Sequence, residues 1–489
     1  MKTVIVGGGI GGLITALYLS NRGEEVVILE KDAKLGGRLA LVEKDGFTID
    51  KGPTIVLLPE IIHTILEEVG VDPSQIEMVR VDPLYSLTYS DNTTFLKWSD
   101  KEKQLAEINR VFPGEEQSFI HYLETMNDRF KLGKSVFLDR HFMNKRDFFS
   151  FTSLAALVKL KAYQSVEKQT AQFFKDKRLQ EAFSLQTLYI GGAPSTSPAL
   201  YSLVSFSEHY HGIWYIKGGY GSLVPVLEKE LRKRGVEIHL NTGVDRIEET
   251  NNFVQAVYSK EKHFSADRFV MNGEIPLMQT LFPEKKTQKQ TYVSSSSCLL
   301  LYFGLDTIYE DANVHQFYMS RDFHQNMQEI FVDKKIPSNP SLYAFHPSII
   351  DESLAPDGKG VLYVLVPVPS GSSVDWEQID EFVDMCLDTL ESWHFPKLRE
   401  HIEWMDVRTP KHAEAEGLYQ GGSFGLAPVL KQSGVFRPQI KPFGRENVYA
   451  VGASIHPGGG IPIVMQGAKL LSDYLEEETD SATRKENLM

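Results

Sequence analysis

Cysteine is almost absent from this sequence: among 489 residues only Cys298 and Cys386 are cysteine, each alone. Two isolated thiols exclude a disulfide scaffold and a cysteine-based zinc or iron–sulfur centre, and they suit a reducing compartment. No run of about 18 apolar residues occurs, so no segment reads as a membrane-spanning helix. The N-terminal apolar run, Val4-Ile5-Val6, stops at Gly7, well short of a secretory signal. Positive charge is in deficit: 51 Lys and Arg face 65 Asp and Glu, a net of −14. Without a dense basic tract, nucleic acid is not an expected partner. Internal repeats are also missing. What is present, 42% hydrophobic and 24% charged residues, describes a folded chain of about two or three domains. The average composition reads as cytoplasmic, with no metal site.

The first forty residues carry the strongest pattern. Val4-Ile5-Val6 is β-branched without polar alternation, as in a strand buried on both faces of a parallel sheet. Gly7, Gly9 and Gly12 then form G-x-G-x-x-G before a helix over Leu13 to Arg22, and Glu25 to Leu29 reads as the next strand. The first glycine permits a tight turn, the second lets a pyrophosphate approach the backbone, and the third lets helix and strand pack closely. Glu30 ends the second strand, 18 residues beyond Gly12, where a carboxylate accepts from ribose hydroxyls and repels a 2′-phosphate. NAD and FAD share this fingerprint. Leu35-Gly36-Gly37-Arg38 separates them, because an extended flavin nucleotide lays its pyrophosphate near such a turn, within reach of Arg38. The two motifs together point to FAD.

Farther along, Leu39 to Glu43 and Phe47 to Ile49 predict a hairpin, and residues 59–210 read as mainly helical, with periodicity over 61–69, 115–132 and 179–189. A second strand–helix–strand unit is expected from Ile213 to Leu240. Strand candidates follow at Cys298 to Leu305, Ser341 to His346 and Val361 to Val368. A last buried strand, Asn447 to Gly452, leads through Pro457-Gly458-Gly459-Gly460 into a helix over 463–476, before a loose polar tail at 479–489. Gly459 and the amides near Ile461 and Pro462 can stabilise negative charge on a flavin ring. His456 beside them is a candidate base, or a loop histidine bonded to backbone.

Residues 129–163 depart from the acidic average, with eight Lys and Arg against two Asp: Arg129, Lys131, Lys134, Arg140, Lys145, Arg146, Lys159 and Lys161 against Asp139 and Asp147. Phe130, Phe137, Phe142, Phe148, Phe149, Phe151 and Tyr163 are interleaved. Cations with aromatics on a helical segment suit an anionic bilayer surface, while a solvated face over a buried aromatic core gives the same pattern.

Several dispersed segments extend the picture: Phe47 to Thr54, Gln186 to Gly192, Gly212 to Gly219, Leu301 to Leu305, Tyr363 to Pro369, Gly422 to Gly425, Phe436-Arg437-Pro438 and Val451 to Pro462. In these segments and their order, the sequence resembles the bacterial carotenoid desaturases, the phytoene and diapophytoene desaturase group of FAD-dependent oxidoreductases. That resemblance implies an α/β fold with a Rossmann-type FAD-binding domain (GR2-like), an α+β substrate domain and a helical membrane-associated cap. The expected boundaries are 1–58, 211–290 and 431–478 for the discontinuous FAD domain, 59–210 for the cap with 129–163 facing the membrane, and 291–430 for the substrate domain. Lys31, Pro53, Thr54, Val244 and Gly452 complete the expected cofactor contacts. Ala453 stands where related flavoproteins often have Asp or Glu; the carotenoid group commonly has Ala.

The implied reaction introduces conjugated double bonds into an acyclic C30 or C40 polyene at the inner face of the cell membrane, with oxygen or a quinone as electron acceptor. Asp139 and Arg140, at the expected channel entrance, are candidates for proton transfer or a surface ion pair. The alternatives are a carotenoid terminal oxidase of the same fold, a non-redox prenyl-lipid escort protein, and a soluble amine oxidase.

Overall fold

The computed structural model describes residues 1–142, 150–282 and 291–486. The strand Lys2–Val6 lies at the middle of a five-stranded sheet, in the order Val448–Ala450, Arg268–Met271, Lys2–Val6, Glu25–Leu29 and Glu237–His239. Every ladder is parallel. Both faces of such a sheet need cover, which is why Val4, Ile5 and Ile28 have no exposure at all. The helix Ile10–Asn21 covers Glu25–Leu29 and packs on the helices Leu223–Lys233 and Ile461–Glu486. Its residues Ile10 through Leu19 are all buried, each leucine among them contributing about 1.5–3 kcal/mol by leaving water.

A second sheet has seven strands, in the order Ile402–Arg408, Ser297–Leu305, Gly360–Val368, Leu342–Phe345, His315–Tyr318, Tyr85–Thr88 and Thr94–Lys97. Its ladders are antiparallel except between His315–Tyr318 and Tyr85–Thr88. Ser297–Leu305 is buried on both faces. Leu299, Leu301 and Phe303 pack toward the helix Asp380–Glu391, while Cys298, Leu300 and Tyr302 face the opposite core.

Several expectations need correction. Residues 59–210 are mainly helical as expected, but they also hold the strands Met78–Val81, Tyr85–Thr88 and Thr94–Lys97, two of which extend the seven-stranded sheet. At four residues each, they are too short for periodicity to separate strand from helix. Ile213–Ile216 is a strand but stays out of the parallel sheet, pairing antiparallel with Met78–Val81; Glu237–His239 alone of that unit joins it. An antiparallel sheet of Arg246–Thr250, Phe253–Ser259 and Lys262–Ser265 was not anticipated. The expected helix at 179–189 is divided into Lys177–Ala182 and a 3₁₀ stretch, Leu185–Ile190. The last helix runs through Glu486, so the tail is helical up to that point, and 487–489 lie outside the described residues. Among the described residues, no helix is long and apolar enough to cross a membrane.

Buried histidines make this fold sensitive to acid. His346 accepts the Tyr309 N–H at 3.1 Å on Nε2 and bonds the Val361 carbonyl through Nδ1 at 2.7 Å, so it is satisfied only when neutral. Burial pulls its pKa down to about 4, and that of His315 down to about 3. The unfolded chain binds these protons near pH 6.5. Stability from the neutral rings is therefore complete above about pH 6.5 and is lost as pH falls toward 4, on the order of 3 kcal/mol for His346. Thermal denaturation should show Tm falling across that window, with a shallower fall in His346→Gln. A Tm that stays flat would contradict this.

Candidate functional site

The glycine loop shows which glycines serve the chain and which serve a ligand. Gly7 has φ +107°, and a Cβ there would lie 2.4 Å from the Asn272 carbonyl oxygen. A Cβ on Gly12 would lie 2.3 Å from the Gly7 carbonyl. Internal packing alone demands both. Gly9 differs: its φ of −73° is ordinary, and a Cβ would meet only Asn272 Nδ2, at 3.4 Å. Nothing in the chain requires glycine there, so the open space suits an approaching ligand. Gly9 also caps the helix Ile10–Asn21 without a side-chain hydrogen bond, leaving first-turn amides for an anion.

Two side chains hold this loop. Asn272 donates to the carbonyls of Gly7 at 2.9 Å and Gly9 at 3.2 Å. Glu30 accepts from the Gly8 amide at 2.7 Å and the Asp32 amide at 2.9 Å, one oxygen each. Each carboxylate oxygen keeps a further lone pair for a hydroxyl. Beyond the loop, Arg38 is ion-paired with Glu274, which also accepts from Ser454 at 2.6 Å. Arg437 is buried, donates to the Ala453 carbonyl, and has its pKa drawn down by desolvation. The Nε atoms of Arg38 and Arg437 are buried without a hydrogen-bond partner. Two guanidiniums against one carboxylate leave local positive charge for a pyrophosphate.

All of this faces one cavity of about 960 Å³. Gly7, Gly9, Glu30, Lys31, Gly37 and Arg38 line it, as do Pro53, Thr54, Val244, Gly452, Gly459, Ile461 and Pro462. Gly12, the remaining expected cofactor residue, packs behind Gly7. The cavity continues past apolar Leu188, Leu203, Phe317 and Leu365, and reaches Leu430 and Phe436. That size is near the top of the ~300–1,000 Å³ typical of small-molecule sites.

The proposed catalytic residues are placed less favourably. His456 lines the cavity, but its Nε2 is 2.9 Å from the Arg140 carbonyl, and burial pulls its pKa down to about 4. The ring therefore acts as a strut to the segment around Arg140, the backbone-bonded alternative. The side chains of Asp139 and Arg140 are exposed and outside the cavity wall. Cys298 does line the cavity, where burial pushes its thiol up to about 12. Asn272, Glu274, Arg437 and Ser454 were missed by sequence reading. Asn272 follows the unpredicted strand Arg268–Met271, whereas Arg437 lies in a segment already noticed but not given a role.

Residues 10–470 match the family described as flavin containing amine oxidoreductase. The chain belongs to that family. A 4,4'-diapolycopen-4-al dehydrogenase of Metabacillus indicus is 52% identical over 99% of both chains. A 4,4'-diapophytoene desaturase (4,4'-diaponeurosporene-forming) of Staphylococcus aureus (strain Newman) is 31% identical, over 98% of this chain and 99% of that one. These relatives place this flavin oxidoreductase in the bacterial carotenoid desaturase group. Solved structures share the fold: a putrescine oxidase variant (TM-score 0.68, 14% identity, 97% and 99% coverage) and an oxidoreductase from Methanosarcina mazei (0.63, 16%, 97% and 100%). The enzyme is FAD-dependent, and the open approach at Gly9 with the two arginines fits that dinucleotide.

The glycine geometry gives a paired prediction. Gly9→Ala should leave the apo-protein's Tm nearly unchanged but weaken FAD binding about tenfold or more, measured by quenching of FAD fluorescence. Gly12→Ala should lose folded protein, since its Cβ would collide with backbone. Equal damage to apo stability in both variants would contradict the distinction.

Proposed function

We propose that this flavin oxidoreductase dehydrogenates an acyclic carotenoid, the carrying observation being that one cavity runs from the glycine loop into an apolar channel. Bound FAD supplies a two-electron acceptor for a hydride. The chain's own contribution is positioning: Glu30 and the amides after Gly9 hold the nucleotide end, and Arg38 and Arg437 offset its charge. Leu188, Leu203 and Phe317 keep water from the polyene. Desaturation removes a hydride from one carbon and a proton from its neighbour, with oxygen or a quinone taking the electrons onward. The relatives' names favour a diapocarotenoid over a longer chain. A second reading is oxidation of a terminal aldehyde, in which aldehyde and water give carboxylic acid, two protons and two electrons. The 52% identical relative's name favours it.

The channel mouth supports a membrane-facing cap. Phe151, Val158 and Tyr163 are 89%, 65% and 67% exposed, and Leu430 and Phe436 near the mouth are 55% and 43% exposed. Lys131, Lys134, Arg140 and Lys159 are exposed in the same region. Exposed apolar side chains and cations in one stretch of sequence suit an anionic lipid surface, from which a polyene would enter directly. Not every expected residue takes part: Phe137 and Phe142 are buried in a small core with Leu160 and Val435. Lys145, Arg146, Asp147, Phe148 and Phe149 lie outside the described residues.

FAD-loaded protein should be incubated under nitrogen with a quinone and either diapophytoene or a diapolycopenal. Lengthened chromophores from the first support desaturation, and carboxylic acid from the second supports aldehyde oxidation. Conversion of neither would sink the proposal. On anionic vesicles, Phe151→Asp with Val158→Asp should lower the bound fraction about tenfold or more, read by co-sedimentation.

A further inference from the structure

The cavity wall holds a hydrogen-bond chain that a hydrocarbon leaves unused. Thr54 Oγ1 is 2.8 Å from Tyr343 Oη, which is 2.7 Å from His315 Nδ1. All three residues are buried; Thr54 and Tyr343 line the cavity, and His315 stands behind them. His315 Nε2 has no hydrogen-bond partner, and that decides the tautomer. A proton on Nε2 would orphan an N–H donor in an apolar interior. A proton on Nδ1 leaves over only a lone pair, the less costly state. Burial keeps the ring neutral, its pKa pulled down to about 3.

His315 Nδ1–H therefore donates to Tyr343, and the Tyr343 hydroxyl donates to Thr54. The Thr54 proton is then left without an acceptor among the described residues. The chain points one way, into the cavity, where Phe317, Leu365 and Leu300 are its apolar surroundings. A donor so placed costs free energy unless an acceptor arrives.

We propose that Thr54 Oγ1 donates a hydrogen bond to the carbonyl oxygen of a polyene aldehyde, and that Tyr343 and His315 are positioning residues that orient its proton. This rests on the carotenoid reading above and deepens it by naming the substrate's end group. A carbonyl of the flavin ring offers the same chemistry, so the test must separate the two.

The probe is a diapolycopenal bound to the FAD-loaded protein, compared with a hydrocarbon polyene of equal length. A hydrogen bond to a conjugated carbonyl shifts its absorption to the red. Wild type should shift the aldehyde and not the hydrocarbon. Thr54→Val should abolish the shift and weaken aldehyde binding about tenfold, and Thr54→Ser should restore both. Tyr343→Phe, which leaves Thr54 in place, should diminish the shift and gives an independent variant.

An equal shift for both polyenes, or a shift kept in Thr54→Val, would overturn the proposal. So would displaced flavin bands in Thr54→Val without polyene, because the bond would then go to the cofactor. Absence of any carotenoid turnover by wild type sinks the functional reading alone, and absence of the aldehyde-specific shift sinks this inference alone.

Discussion

Three tyrosine hydroxyls tie the seven-stranded sheet to residues 51–54, a segment that lines the cavity. Tyr302 donates to the Lys51 carbonyl at 2.7 Å, Tyr363 to the Gly52 carbonyl at 3.0 Å, and Tyr343 bonds the Thr54 side chain at 2.8 Å. They come from three strands of the seven-stranded sheet and converge on one short segment. Asp50, just before it, accepts from the amides of Tyr220 and Gly221, both at 3.0 Å. Buried hydroxyls without partners would each cost about 1–3 kcal/mol, so the arrangement is self-enforcing. Desolvation raises the pKa of all three tyrosines, which keeps them as donors.

With that segment fixed, charge and apolarity divide the cavity between them. Positive groups, namely Arg38, Arg437 and the helix start after Gly9, line one cavity. Leu188, Leu203, Phe317 and Leu365 form an apolar stretch of the wall, and the exposed Leu430 and Phe436 also line it. A net charge of −14 says little about either region. Charge placement, not charge balance, fits an acidic protein to an anionic cofactor.

Much of the nucleotide-binding half was legible because its rules are local. A buried strand, a glycine turn and a carboxylate at fixed spacing constrain one another, and Gly7 to Glu30 fold as those rules require. The hairpin Leu41–Lys44 with Phe47–Asp50, and the long strands Ser297–Leu305 and Gly360–Val368, were readable for the same reason. Tertiary partners were not. Whether Ile213–Ile216 enters the parallel sheet depends on Met78–Val81, which lies more than a hundred residues away. Glu274 pairs with Arg38 across 236 positions, and no short motif encodes that. His456 looked like a base because it neighbours glycines, yet its ring is committed to a distant carbonyl.

The central claim is that cofactor and polyene occupy one cavity closely enough for hydride to pass. Rapid anaerobic mixing of FAD-loaded protein with one equivalent of polyene tests it most directly, following the flavin absorption band and the polyene chromophore together. The account predicts that the flavin band bleaches in a single turnover at the rate at which the polyene spectrum changes. A polyene that binds while the flavin band stays intact would contradict it.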